Sequence, residues 1–339
     1  MDKKVVLVTG GAGYIGSHTC IELCNAGYEI VIIDNFSNSS KLVIDRMREI
    51  SNSNFIFYEG DVTCQSTMRR IFTLHKIDSV IHFAGFKSVN ESVNNPLKYF
   101  YNNICSTITL CNIMQEFGCK QLVFSSSATV YGDNAMVPIV ESSLLSTTNP
   151  YGRSKLMAEE ILTDLCKSDR SWSVVSLRYF NPAGAHKSGL IGEDPNDVPN
   201  NLMPYISQVA VGKLDKLKVF GGDYPTHDGT GVRDYIHVVD LAKGHLNALK
   251  KITALAGFVP INLGSGLGYS VLDVIKSFES QNGMKIPYEI TNRRQGDVPE
   301  SFADIAQAKS LLDWTPEFTI DDICKDAWYW QSKNPNGFH

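Results

Sequence analysis

The sequence predicts an α/β fold: a doubly wound parallel sheet in the first half of the chain, followed by a smaller C-terminal α/β domain. Three observations point to it. Short apolar runs alternate with amphipathic stretches over residues 4–178. A glycine turn joins the first run to the first helix. After Arg178 the alternation gives way to loops rich in proline and glycine.

The predicted strands are Lys4–Val8, Glu29–Ile33, Asn54–Tyr58, Ser79–Phe83, Gln121–Ser125 and Ser173–Arg178. They are rich in Val, Ile and Phe with few polar interruptions, as parallel strands covered on both faces must be. Helices are predicted between most of them, over Ile15–Ala26, Ser66–His75, Leu97–Glu116 and Tyr151–Lys167. Strand–helix–strand units of this kind are right-handed and build one sheet with helices on both sides. Beyond Phe180 come short apolar segments at Val219–Phe220, Pro260–Leu263 and Ile286–Ile290. Helices are predicted there over Leu202–Val211, Val239–Lys251, Val271–Gln281 and Ile305–Leu312. These read as the second domain, packed closely on the first because no low-complexity linker separates them.

Composition sets the class. The 339 residues are 43% hydrophobic and 20% charged, enough apolar surface to offset the entropy of ordering the chain. A net charge of -5 is a poor match for a nucleic-acid partner. No run approaches the ~20 apolar residues of a membrane span. Met1-Asp2-Lys3-Lys4 is polar and Val5–Val8 is too short for a signal-peptide core, so a cytoplasmic protein is expected. The 8 cysteines include no Cys-x-x-Cys, and no histidines stand at metal spacing. Buried free thiols in a reducing compartment, and no metal, are expected.

The run Val5-Val6-Leu7-Val8-Thr9 passes into Gly10, Gly13 and Gly16 and then a helix. These glycines suit a tight turn, close approach of a pyrophosphate to the backbone, and close helix–strand packing. In that strand–turn–helix context they indicate a dinucleotide site of Rossmann type. Asp34 ends the second strand, at the distance from the turn expected of an acid that binds an adenosine ribose. A carboxylate there repels a 2′-phosphate, which favours NAD over NADP. Asp61 and Val62 follow the third strand and can frame an adenine, although an Asp after a strand is also a common helix cap.

Asn149-Pro150-Tyr151-Gly152-Arg153-Ser154-Lys155 reads as a capped helix start with Pro at its first position. Tyr151 and Lys155 then share one helix face. A phenol of ordinary pKa about 10 is a poor base at neutral pH. A neighbouring ammonium and a positive nicotinamide would both lower it, letting Tyr151 take a proton from a substrate hydroxyl. Tyr-x-x-x-Lys is a common surface pair, and Ser125-Ser126-Ser127 can be a polar strand end. Their placement at the carboxyl end of the fifth strand favours a site.

Together with Thr9-Gly10-x-x-Gly13-x-x-Gly16, the stretches Ser125-Ser126-Ser127-Ala128-Thr129-Val130-Tyr131-Gly132, Tyr151-x-x-x-Lys155 and Arg178-Tyr179-Phe180-Asn181-Pro182 resemble the extended short-chain dehydrogenase/reductases. His82-Phe83-Ala84-Gly85-x-Lys87, Pro199 to Tyr205 and Gly229 to Val238 make the chain similar to the UDP-sugar epimerases of that family, from about Val5 to Trp330. The resemblance implies an isomerase that interconverts UDP-galactose and UDP-glucose by transient oxidation at C4, with NAD kept bound. It implies residues 1–179 for NAD and 180–339 for the UDP-sugar, with some later segments returning to the first domain. A homodimer through the helices at Leu97–Glu116 and Tyr151–Lys167 and a place in galactose metabolism are implied as well.

The same resemblance assigns Ser127, Tyr151 and Lys155 to catalysis. It places Gly10, Gly13, Tyr14, Ile15, Gly16, Asp34, Asn35, Asp61, Val62, Phe83, Ala84, Gly85, Lys87, Asn102, Ser125, Tyr151, Lys155 and Tyr179 along NAD. Lys87, Ser127, Ala128, Thr129, Tyr151, Asn181, Asn200, Asn201, Leu202, Phe220, Arg233, Tyr235, Arg294, Asp297 and Ser301 are placed at the UDP-sugar. Arginine forks suit a pyrophosphate, although Arg233 can instead pair an acid and Arg293-Arg294 can be solvated. Ser301 stands where some family members carry tyrosine, and a serine leaves room for a 2-acetamido group, so UDP-GlcNAc and UDP-GalNAc are expected as further substrates. Two alternatives remain: a nucleotide-sugar dehydratase or decarboxylase, against which Ala128 and Thr129 stand in place of an acid pair, and a non-catalytic NAD-sensing protein.

Overall fold

The computed structural model describes residues 3–133, 136–195, 199, 201–294 and 297–338. Strands β1 (Val5–Thr9), β2 (Glu29–Asp34), β3 (Ile56–Glu59), β4 (Ser79–His82), β5 (Gln121–Ser127) and β6 (Ser173–Tyr179) form one parallel sheet with a seventh strand, Gly257–Leu263. The order across it is β3-β2-β1-β4-β5-β6 and then the seventh strand beside β6. The direction of winding reverses between β1 and β4, so the carboxyl ends of those two strands open a crevice. Helices α1 (Tyr14–Asn25), α2 (Leu42–Ser51), α3 (Gln65–Leu74), α4 (Val89–Asn94), α5 (Pro96–Glu116) and α6 (Pro150–Ser168) connect the first six strands.

Alternation along each strand divides the core in two. Val6, Val8, Ile30, Ile32, Val175 and Leu177 face one side, with Ile21 and Leu23 of α1, Leu241 and Leu249 of helix Val238–Lys251, and Leu312. Leu7, Val31, Ile33, Val80, Phe124 and Val174 face the other, with Met68 of α3, Leu110 and Met114 of α5 and Leu162 of α6. Both faces are dry, which is why these strands lack polar alternation in the sequence.

The six predicted strands and the four helices predicted between them are present, with ends shifted by one or two residues. Three differences have physical causes. Pro260–Leu263, assigned from the sequence to the second domain, belongs to the seventh strand of the large sheet, in register from Gly257↔Ser173 to Leu263↔Tyr179. Pro260 is tolerated because the strand lies at the sheet edge. The helix Val238–Lys251 likewise packs on α1, so the chain crosses back to the large sheet after the loops that follow β6. Helices α2, α4 and Ile320–Lys333 were not foreseen. The last carries a capping box, Thr319 and Asp322 each bonding the other's backbone, and buries Ile323, Ala327 and Trp330 on one face.

The remaining elements form a smaller lobe. Helices Leu202–Ala210, Val271–Asn282 and Ile320–Lys333 enclose Met203, Ile206, Leu217, Val219, Val274, Phe278 and Ile323. Short strands complete it: Asn181–Ala183 pairs with Tyr235–His237, and Val232–Arg233 lies between Tyr269–Ser270 and Glu300–Ser301. Tyr14 of α1 donates to the Gly184 carbonyl at 2.7 Å, and Arg46 of α2 donates to Leu190 and Asn334, each at 2.8 Å. These bonds tie the two lobes directly.

Candidate active site

The turn after β1 has no room for side chains. Gly10 has φ +69°, and a Cβ there would lie 2.8 Å from the Ala84 nitrogen. A Cβ on Gly16 would overlap the Gly10 carbonyl oxygen. No side chain caps the N-terminus of α1 at Gly13, so the positive end of the helix is offered to an anion. Phe83 and Ala84, leaving β4, are held against the turn: Phe83 N–H donates to the Thr9 carbonyl at 3.0 Å and Ala84 N–H to Thr9 Oγ1 at 3.2 Å. His82 fixes Thr9 in turn, Oγ1 to Nδ1, at 2.7 Å.

Asp34 closes the other end of this surface. Its carboxylate accepts from Ala12 N–H at 3.0 Å and from Phe36 N–H and Ser39 Oγ at 2.9 Å. Burial pushes the carboxyl up, opposed by those bonds. Next to it, Asn35 Nδ2 donates to Asp61 at 2.9 Å, while the other Asp61 oxygen takes two bonds from Thr63. Burial raises the Asp61 carboxyl, but the bonds from Thr63 and Asn35 outweigh it and leave it below the ordinary value. Val62 is buried beside it. A glycine cradle that any Cβ would fill, an uncapped helix end and a held carboxylate fit the phosphates and a ribose of a dinucleotide.

The catalytic candidates converge at the ends of β5 and α6. Asn149 caps α6 by accepting from Gly152 N–H at 2.8 Å, and Pro150 occupies its first turn. Ser127, buried at the end of β5, accepts from Thr129 Oγ1 at 2.9 Å and Thr129 N–H at 3.2 Å. It also lies close enough to the Tyr151 hydroxyl to favour the phenolate. Lys155 is buried and donates to the Ser125 carbonyl at 2.6 Å. Gly85 lies against it, since a Cβ there would come 3.7 Å from Nζ.

The electrostatics differ from the expectation in one respect. Burial pushes the Tyr151 phenol up, and Ser127 opposes this only in part. Burial pushes Lys155 down to about 8, opposed by Glu159. The ammonium is spent on a backbone carbonyl, so the chain by itself keeps the phenol protonated at neutral pH. The lowering foreseen from the sequence has to come with a bound positive ring.

On the smaller lobe, Asn181 of the strand Asn181–Ala183 runs beside Tyr235, whose phenol is buried. Arg233 lies in register with Ser301 and reaches Asp297 at 3.7 Å. The Arg294 guanidinium stacks on Phe220 at 3.9 Å from the ring centre. Asn201 precedes Leu202 at the start of its helix and donates to Glu193 at 2.9 Å. Asn200 lies outside the described residues. Lys87 is held by the same Glu193 oxygen at 2.8 Å, and Asn102 donates to Asn103 at 3.0 Å.

Sequence reasoning missed several residues that build this site. Glu193 joins Lys87, expected at both NAD and the UDP-sugar, to Asn201, expected at the UDP-sugar. Asn103, on α5, accepts from Phe86 N–H at 2.8 Å and donates to Ser154 at 2.9 Å, locking the loop after β4 to α6. Glu159, two helical turns beyond Tyr151, makes a bidentate pair with Arg178 of β6 at 2.7 and 3.0 Å. Its spacing of four from Lys155 was the available signal.

No helix among the described residues is long and apolar enough to cross a membrane. All 8 cysteines are free thiols. A family model described as GDP-mannose 4,6 dehydratase matches residues 7–327. The UDP-glucose 4-epimerase of Bacillus subtilis is 56% identical over 333 residues, 98% of each chain. The crystal structure of UDP-glucose 4-epimerase from Bifidobacterium longum with NAD+ and UDP superposes with a TM-score of 0.95 at 51% identity, over 98% of this chain and 100% of that one. The enzyme from Stenotrophomonas maltophila, with NAD and formylated UDP-arabinopyranose, gives 0.96 at 47% identity, over 98% and 99%. The chain thus belongs to the NAD-dependent UDP-glucose 4-epimerase family of the extended short-chain dehydrogenase/reductases.

Proposed function

We propose that this chain interconverts UDP-galactose and UDP-glucose at the cleft between its two lobes. The observation that carries the reading is the contact between Tyr151 and Ser127 at the mouth of a dinucleotide cradle, with Lys155 buried behind them. Bound NAD supplies the acceptor and donor of the C4 hydride and a positive charge beside the phenol. Gly10, Gly13, Gly16 and Asp34 hold it, with Tyr14, Ile15, Asn35, Asp61, Val62, Phe83, Ala84, Gly85, Lys87, Asn102, Ser125 and Tyr179 along its length. Tyr151 takes the O4 proton, and Ser127 orients that oxygen. Asn181, Asn200, Asn201, Leu202, Phe220, Arg233, Tyr235, Arg294 and Asp297 grip UDP, while Ala128 and Thr129 border the sugar. Binding energy is placed on UDP because the hexose must turn over between the two hydride transfers.

Ala128 and Thr129 carry no carboxylate that could protonate a leaving hydroxyl, which supports epimerisation over elimination despite the dehydratase description of the matched family model. Ser301, half-buried beside Arg233, supports turnover of the 2-acetamido sugars as well. Leu97, Tyr101 and Ile108 on α5 and Met157 on α6 are exposed apolar residues on packed helices, which supports a homodimer through this face. Free thiols throughout support a reducing cytoplasm. The interconversion of UDP-galactose and UDP-glucose supports a role in galactose metabolism.

The test has two parts. Denaturing the purified protein is expected to release NAD, and a coupled assay is expected to show UDP-galactose converted to UDP-glucose. Tyr151→Phe should abolish conversion and retain NAD. Loss of water or carbon dioxide from the sugar would show the dehydratase or decarboxylase alternative, and equal inertness of wild type and variant would show a sensor.

A further inference from the structure

We propose that His245 is a positioning residue for the epimerisation site and acts through Tyr179. The inference rests on the epimerase reading and concerns a side chain that reaches the site from the far face of the sheet. His245 lies on helix Val238–Lys251 and is fully buried. Its ring sits between two aromatic residues placed along the cofactor, with Phe83 at 4.8 Å and Tyr179 at 5.2 Å between ring centres.

The hydrogen bonds around it have one possible direction. His245 Nδ1 is 2.8 Å from the Leu241 carbonyl, which can only accept, so Nδ1 carries the ring proton. Burial pushes the imidazole down to about 4, so it is neutral near pH 7 and Nε2 offers a lone pair. The Tyr179 hydroxyl, 2.5 Å away, must therefore donate to Nε2. With its proton committed, the phenol oxygen can only accept on its other side. Tyr179 stands there in register with Ser127, across the β5–β6 pair. The Ser125 carbonyl receives the Lys155 ammonium at 2.6 Å. Two directed bonds thus run from the backbone of a helix in the second half of the sequence to a tyrosine paired with the catalytic serine's strand position.

The direction matters because Tyr179 stands in register with Ser127, the serine beside Tyr151. Tyr179 and Tyr151 lie close enough for the charge of one to act on the other. A Tyr179 hydroxyl free to rotate would compete for the oxygens of Ser127 and the sugar. A Tyr179 that lost its proton would place a second negative charge beside Tyr151. By holding the Tyr179 proton on its far side, His245 leaves Tyr151 as the one phenol that exchanges a proton with O4.

The experiment uses the NAD-loaded enzyme and the UDP-galactose assay. His245→Leu removes the acceptor. His245→Asn keeps a donor for Leu241 but is too short to reach Tyr179, and serves if the leucine variant does not fold. His245→Gln restores an acceptor at the position of Nε2. Loss of the acceptor is expected to lower kcat by about tenfold or more with KM changed less than about twofold, because a bond that matters in the transition state is lost and UDP binding is not. His245→Gln should recover most of kcat. Tyr179→Phe should lower kcat similarly, and adding His245→Leu or His245→Asn to it should cost little more, since both act on one path. Wild-type kcat in the leucine or asparagine variant, additive losses in the double variant, or no recovery with glutamine in a folded, NAD-retaining protein would overturn the inference. A wild type without epimerase activity would instead remove the epimerase reading, and this inference with it.

Discussion

At the scale of single residues the site is made by burial more than by charge. Tyr151 and Lys155 share a helix face, as their spacing requires, yet the lysine bonds a backbone carbonyl and the tyrosine lies beside Ser127. Burial moves both toward their neutral forms, the phenol up and the ammonium down to about 8. Ser301 is a second case. Its strand holds it in register with Arg233, so its side chain is placed by the same short sheet that carries the arginine. Ser301→Tyr should leave UDP-glucose turnover near wild type and lower kcat/KM for UDP-N-acetylglucosamine by about tenfold or more, as filling a pocket does. Comparable activity of both proteins on the acetamido sugar would sink the specificity reading.

At the scale of elements the α6–β6 contact carries the site. Glu159 and Arg178 are each 3% exposed at the side chain and share two hydrogen bonds, with Ser176 and Tyr131 completing the network. A buried pair adds little against an apolar substitute, but removing one member strands the other charge. Glu159→Ala should therefore cost about 3–5 kcal/mol, read as a lower midpoint in urea unfolding. Asn149→Ala removes the α6 cap and should cost about 1 kcal/mol, with activity falling more than stability because Tyr151 sits in the first turn. The helix Ile320–Lys333 shows what local reading can overlook. Its Thr319–Asp322 box and its Ile323–Ala327–Trp330 stripe were present in the sequence, but a run broken by charged residues looks like a tail until a partner helix covers it.

At the scale of the whole molecule three buried histidines set an acid limit. Burial pushes His18 and His82 down to about 3 and His245 down to about 4. Their folded values lie below the unfolded one, so the stability they contribute is present above about pH 6.5 and is lost as pH falls toward those folded values. Near pH 5.5 the loss should be on the order of 1 kcal/mol per histidine. Urea midpoints measured between pH 7 and pH 5.5 should fall accordingly; a flat profile would show that these rings are hydrated in solution.

The sequence by itself determined the local grammar: the six strands, the glycine cradle, Asp34 at the end of β2, and Tyr151 with Lys155 on one face of a capped helix. Each depends on a period, a cap or a backbone constraint that acts within about 20 residues. Only the tertiary structure decided that Gly257–Leu263 joins the large sheet, that Glu193 links Lys87 to Asn201, and that His245 reaches Tyr179. Those partners lie far apart in the chain and meet because dry sheet faces and unpaired polar groups must be covered by whatever the fold brings back to them.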